Sequence, residues 1–228
     1  MRYPERYEIM KHLLIVGVGG LARETYWSAK SSVGFNKTWD IKGFLDGDVK
    51  LPEAEYLKLE LPVLGNVNSY RMEEDDVFVC AIGTPKVKMR MTNILEERGA
   101  SFISLIHETA IIHGSADLQC GCIVFPWCSV HDHAQVGKHV LLGNRVGIAH
   151  DCTVGDFSCL MGSVGLCGNV KVGKGTYWAD GALALPHAKI GDNVYVGVRS
   201  VVFKRVKAGQ TVFGNPALPI PRSEDLHE

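Results

Sequence analysis

Long apolar runs are missing from this chain of 228 residues. Its most apolar stretches, Leu13 to Val16 and Val77 to Ile82, fall far short of the roughly 20 residues that span a bilayer, so no membrane partner is expected. A surplus of charge of one sign is missing too: 24 Lys and Arg stand against 25 Asp and Glu, a formal net charge of -1. Nucleic-acid affinity rests on clustered cations that neutralise phosphates, and without them no nucleic-acid partner is expected. The first ten residues, Met1 to Met10, lack the basic start and apolar run of a signal peptide, which makes the cytoplasm the expected compartment. Seven cysteines are an odd number scattered through a chain large enough to need no staples, and this favours reduced thiols over a disulfide framework. What remains, 46 % hydrophobic and 21 % charged, is ordinary globular composition and excludes disordered and fibrous classes.

The chain is rich in one thing, a strict period of six. In a hexad frame beginning at Ile106, every first position through Ile112, Leu118, Val124 and onward to Ala208 is apolar. Every fifth position, from Ala110 and Ala116 to Val206 and Val212, is small or β-branched. Such a period suits a parallel β-coil with three faces, one short strand per face and a sharp turn between faces. Glycines at the second position (Gly137, Gly143, Gly155, Gly173, Gly191 and Gly197) are expected to relieve strain at those turns. With no insertion in the frame, the repeat predicts six full coils, a prism on the order of 29 Å long at the usual strand spacing.

Residues before Leu105 read differently. An apolar run from His12 to Val16 meets Gly17-Val18-Gly19-Gly20-Leu21-Ala22 and a segment of helical spacing, the order strand, Gly turn, helix. Glycines there let a phosphate approach a helix N-terminus. A second strand, Ile41 to Leu45, ends at Asp46-Gly47-Asp48, where an acid is placed to accept a ribose or base hydrogen bond. A third, Val77 to Ile82, ends at Gly83 before a helix over Lys86 to Arg98, and a fourth is expected at Ser101 to Leu105. Val49 to Glu60 reads as a surface excursion. This is one βαβαβ half of a dinucleotide fold, which suits a mononucleotide or a nucleotide-linked sugar better than NAD. The fold class is therefore α/β plus all-β, a half-Rossmann domain over 1–105 followed by a β-helix domain over 106–228.

A half-Rossmann domain joined to hexapeptide repeats resembles the PglD/NeuD family of sugar acetyltransferases. The likeness is carried by Gly17-Val-Gly-Gly-Leu-Ala-Arg-Glu24, Gly43-Phe-Leu-Asp46, Ala81-Ile-Gly83, Leu105-Ile-His107, Ile148-Ala-His-Asp-Cys152, Gly168-Asn-Val170 and Gly214-Asn-Pro-Ala217. It implies a left-handed β-helix, acetyl-CoA as co-substrate, no metal, a homotrimer, and a place in bacterial glycan synthesis. It also implies that a sugar nucleotide lies against Gly19, Gly20, Leu21, Asp46 and Gly83. Leu21 stands where relatives often have His, so its contact would be through backbone. The family's catalytic His and following acid fall on His150 and Asp151. The residues themselves agree with that role: an outward imidazole beside a carboxylate has the form of a general base. For the cofactor the resemblance implies Cys159, Gly168, Asp180 and the closing turn Gly214, Asn215 and Pro216. Cys159 stands where relatives have a second His at the thioester, a substitution a weak thiol donor does not make good. The implied activity is N-acetylation of a nucleotide-linked 4-amino-6-deoxy sugar. Alternatives are O-acetylation of a sugar hydroxyl, as on sialic acid, and a non-catalytic sugar-nucleotide-binding trimer.

Other candidates weigh less. His131 and His133 flank Asp132 and lack a third ligand, while His107, His113, His139 and His187 read as surface residues. Cys122, Cys128 and Cys152 take small inward positions, and Cys120-x-Cys122 points to two sides, which does not make a zinc pair.

Overall fold

A computed structural model describes residues 10–47 and 53–221. Residues 1–9, nearly all of the stretch read for a leader, lie outside it, as do Asp48 and the start of the excursion.

Four parallel strands make the N-terminal sheet: β1 (Lys11–Val16), β2 (Trp39–Asp46), β3 (Val63–Asn66) and β4 (Asp76–Cys80), in the order β3-β2-β1-β4. The helices are α1 (Gly20–Ala29), α2 (Glu53–Tyr56) and α3 (Pro85–Glu97). A parallel sheet covered on both sides needs apolar residues on both, and Leu13, Leu14, Ile15 and Val16 are all 0 % exposed. Leu13 and Ile15 pack with Ala22, Tyr26 and Ala29 of α1, whereas Leu14 and Val16 pack with Met91 and Leu95 of α3.

Two strand expectations need correction. β3 was not foreseen, because four residues beside Pro62 are too short for alternation to register. The strand expected at Ser101 to Leu105 shrinks to a single bridge between Phe102 and Phe78. Leu105 instead opens the first β-helix strand, Leu105–Ile106, with its N–H donating to the Cys122 carbonyl one coil on at 2.8 Å.

From Leu105 to Phe213 the chain winds as a three-faced parallel β-helix whose faces carry seven, six and six parallel strands. Ile148 is in register with Val130 on the coil before and Leu166 on the coil after. First and fifth positions fill the interior: Leu142, Ile148, Val146 and Cys152 are all 0 % exposed.

The turn chemistry differs from expectation. Positive φ falls on the fourth position of the hexads, in Arg145 (+61°), Asp151 (+57°), Phe157 (+60°) and Ser163 (+59°) among others. Left-handed backbone costs a non-glycine residue roughly 1 kcal/mol or more, which the interior packing and inter-coil hydrogen bonds of each coil offset. Second-position glycines serve a different end: a Cβ on Gly155 would stand 2.5 Å from the Lys174 amide nitrogen, and one on Gly143 2.9 Å from that of Gly162. They are glycine so that the next coil can come close.

The unbroken frame is also corrected at its end. Beyond Val202 one corner is two residues short, so Val206 pairs with Ile190 and Val212 with Val196. Val206 and Val212 thus take the large inward positions, and Ala208 lies against Gly191 instead. The chain then reverses, and Leu218–Ile220 pairs antiparallel with Thr211–Phe213. That added strand covers the edge of the last coil on one face.

The two parts share a core. Outward residues Leu105, Ile123, Phe125, Leu141 and Cys159 of one β-helix face are buried in the same cluster as Leu13, Ile15 and α1. At the neighbouring corner α3 covers His139, which was expected at the surface and is 1 % exposed. Its ring stacks on Phe157 at 5.0 Å and meets the Phe102 ring edge-on at 4.7 Å. Nε2 faces the Glu96 carboxylate at 3.1 Å, and Lys88 Nζ donates to the His139 carbonyl at 3.3 Å. Burial lowers the His139 pKa from 6.5, with Glu96 opposing and Lys88 and Lys138 assisting. Acid therefore protonates the unfolded chain before the folded one, and stability falls as pH drops below about 6.5. Melting temperature followed from pH 7 to 5 is expected to fall less steeply in His139→Gln than in the parent; equal slopes would remove His139 as the cause.

Candidate active site

His150 takes the third position of its hexad, at the corner between strands Gly147–Ile148 and Thr153–Val154. Its side chain is 60 % exposed, and Nδ1 lies 2.7 Å from the Asp151 carboxylate. Asp is one of the few residues that enter left-handed backbone readily, and from φ +57° its carboxylate reaches the preceding ring. With Nδ1–H donating to Asp151, Nε2 keeps its lone pair, the tautomer a base needs. The ring lies over Gly168 of the next coil, where a Cβ would stand 2.6 Å from Nε2. Among the described residues no backbone carbonyl or side chain accepts the Gly168 N–H. One coil below is Asp132, whose partner is the Ser115 hydroxyl. That bond, with His133, His113 and His150 nearby, holds Asp132 below the ordinary carboxylate range. In the sequence Asp132 stands out only beside His131 and His133; the signal of its place under His150 is a spacing of eighteen residues, one full coil.

A second group gathers at the C-terminal ends of the sheet. Gly17 is the glycine the turn cannot replace, with φ +117° and a Cβ position 2.9 Å from the Ala81 carbonyl oxygen. Gly19 caps α1, its carbonyl accepting from the Ala22 and Arg23 N–H groups, and Gly20 and Leu21 open the helix. First-turn N–H groups of a helix attract anions. Asp46 accepts from the Tyr56 hydroxyl at 2.6 Å and from the Gly47 N–H at 2.7 Å, a pairing that the sequence did not reveal. Gly83 stands between Leu21 and Met161: a Cβ there would be 3.7 Å from Leu21 Cδ2 and 3.6 Å from Met161 Cε. The glycine turn therefore abuts the β-helix directly.

A third group lies on another corner, where Gly162, Ser163, Asp180, Gly181, Val198 and Arg199 line a cleft of about 530 Å³. Gly214, Asn215 and Pro216 close the last coil, with a cis bond between Asn215 and Pro216 and the Gly214 N–H donating to Ser200 Oγ at 3.0 Å. Within one chain, Asp180 and His150 stand on different corners of the prism and do not meet. Among the described residues no three His, Cys, Asp or Glu side chains are grouped to hold a metal ion, and no helix is long and apolar enough to cross a membrane.

Comparison with known proteins agrees with this architecture. Residues 12–95 match the family model of the PglD N-terminal domain. The chain is 27 % identical over 151 residues to a GDP-perosamine N-acetyltransferase of Escherichia coli O157:H7, covering 64 % of this chain and 68 % of that one. It superposes on the acetyltransferase domain of PglB from Neisseria gonorrhoeae in complex with acetyl coenzyme A, with TM-score 0.81, 25 % identity, and 92 % and 99 % of the two chains covered. These matches support a PglD/NeuD-type sugar acetyltransferase. A further relative, a UDP-3-O-acylglucosamine N-acyltransferase of Wolinella succinogenes, is 25 % identical over half of this chain, which spans only 36 % of that protein.

The resemblance implies a place for Cys159 at the thioester, and here the geometry disagrees. Cys159 is 0 % exposed, pairs with Leu141 and Tyr177 across neighbouring strands, and lies under the N-terminal sheet. Its outward position belongs to the one face that the first domain covers, so the thiol has no route to a bound thioester, and burial raises its pKa.

Proposed function

We propose that the chain is an acetyl-CoA-dependent N-acetyltransferase acting on the amino group of a nucleotide-linked 4-amino-6-deoxy sugar, with His150 as general base. The observation that carries this reading is the exposed His150–Asp151 pair, held at 2.7 Å on a rigid corner above Gly168. The E. coli relative is named for N-acetylation of a GDP-linked sugar, and the Neisseria domain binds acetyl-CoA, which supports the reaction class. His150 Nε2 takes a proton from the amine as the nitrogen attacks the acetyl carbonyl. Asp151 holds the ring and stabilises the imidazolium, and the Gly168 N–H donates to the carbonyl oxygen as it gains charge. The C–S bond then breaks, and the CoA sulfur leaves with the proton His150 has carried. The Gly19–Gly20 turn with Leu21, Gly83 and Asp46 holds the sugar nucleotide, while Asp180 and the Gly214–Pro216 turn serve CoA.

Because the Asp180 cleft and His150 occupy separate corners, the complete site takes one corner from each of two neighbouring copies, and a closed trimer of three-sided prisms supplies that arrangement. Release of free thiol from acetyl-CoA against UDP-, dTDP- and GDP-linked 4-amino sugars tests the reading. Turnover on one amino sugar by a species of three chains in light scattering is expected. Turnover on a hydroxyl acceptor alone, or binding without turnover, would overturn it.

A further inference from the structure

On the β-helix face that receives the first domain, the outward residues form a column: Leu105, Ile123, Leu141, Cys159, Tyr177 and Tyr195, in register from coil to coil. The first four are at most 2 % exposed, sealed beneath the N-terminal sheet. Tyr177 and Tyr195 are the first two beyond that cover, and both are partly exposed. Their rings stack face to face, 4.9 Å apart at 9°. At the same height one neighbouring face carries Lys171 and Lys189 and the other Leu183 and Val201, so the stacked aromatic pair is particular to this face. Tyr177 is also packed against the shared core together with Leu21 and Met161, the two side chains that flank Gly83. An aromatic shelf thus begins where the nucleotide turn ends, and its far side approaches Asp180, whose charge, after burial and Tyr195, helps raise the Tyr177 hydroxyl to about 12.

We propose that the stacked Tyr177–Tyr195 pair, with Met161, is the surface on which the hexose ring of the nucleotide-linked acceptor lies, so that these residues set acceptor specificity; this rests on the acceptor class read above. A hexose offers an apolar C–H face and a polar rim, and a tyrosine offers an apolar ring and a polar tip to match. A 6-deoxy sugar adds a methyl group where Met161 and Leu21 supply apolar contact. The nucleotide lies against the turn, the sugar projects along the shelf, and the shelf leads toward the cleft that holds Asp180.

Calorimetry of Tyr177→Ala and Tyr195→Ala separates the shelf from the turn. Each variant is expected to weaken binding of the nucleotide-linked amino sugar about tenfold, the scale of one lost aromatic contact, and to leave binding of the bare nucleoside diphosphate unchanged. Tyr177→Phe, which keeps the ring, is expected to retain most of the affinity and guards against misfolding as the cause. Equal loss for sugar nucleotide and bare diphosphate, a shift in acetyl-CoA binding alone, or no shift at all would each overturn the shelf. Binding is read without turnover, so an absence of acetylated product from the parent enzyme would refute the catalytic reading while leaving this measurement to decide its own question.

Discussion

His150→Ala is expected to lower kcat by about 10³-fold, the middle of the range for loss of a positioned acid–base group, with little change in KM for acetyl-CoA. The side chain is 60 % exposed, so truncation opens no cavity, and the melting temperature should stay near that of the parent. Loss of rate without loss of fold distinguishes a base from a packing residue. Asp151→Asn should cost less. Asparagine can still hold the ring, but it contributes no charge to the imidazolium and can offer Nδ1 a donor, which would favour the other tautomer. Retention of more than a tenth of the parent rate by His150→Ala would mean that the proton goes to another group.

Gly168→Ala carries the next largest effect, about 100-fold on kcat. A Cβ at this residue would stand 2.6 Å from Nε2 and 2.7 Å from Cε1 of His150. The helical coil is fixed by hydrogen bonds on both sides, including the Asn169 N–H to the His150 carbonyl at 3.0 Å, so the exposed ring must yield. Displacing it by roughly 1 Å is enough for a loss of that size, because rate depends on alignment more steeply than affinity does. Gly114→Ala is the matched control. It occupies the same place in its own hexad at the same corner, and a Cβ there meets nothing within 4 Å. Steady-state kinetics on the pair should show a large effect in one and none in the other; equal rates in both would mean that the position of the His150 ring does not limit turnover.

The repeat was legible because a three-faced coil has a periodic interior: Ile148, Leu160 and Leu166 can be read off in steps of six without knowing the fold's hand. His150 was legible for a related reason, since corners point outward and a third-position imidazole there has nothing to pack on within its own strand. Contacts between non-neighbouring parts of the chain were not legible. Cys159 and His139 are outward by the same frame that makes His150 outward, and they are buried only because the first domain docks on their side of the prism. The mark of the covered face has a period of eighteen, Leu105, Ile123, Leu141 and Cys159, and a frame of six does not single it out. The glycines at Gly143 and Gly155 mislead similarly, because glycine signals a turn in one chain segment and a close neighbour in another, and only the position of the next coil separates the two. Reading Val206 and Val212 at the small inward position instead of the large one had the opposite cause: an apolar residue fits the first and the fifth position alike, so a frame can slip by two residues and still look intact.

The shortened corner beyond Val202 shows where this architecture tolerates change. Two residues are absent there, yet Lys189 still donates to the Lys204 carbonyl at 2.7 Å and Gly191 to that of Val206 at 3.0 Å. The faces act as fixed rungs and the corners as slack between them, so descendants of such a chain can lengthen or trim a corner without disturbing the rungs above and below. Loops at the edges of the prism can therefore be edited while the ladder that carries His150 keeps its register.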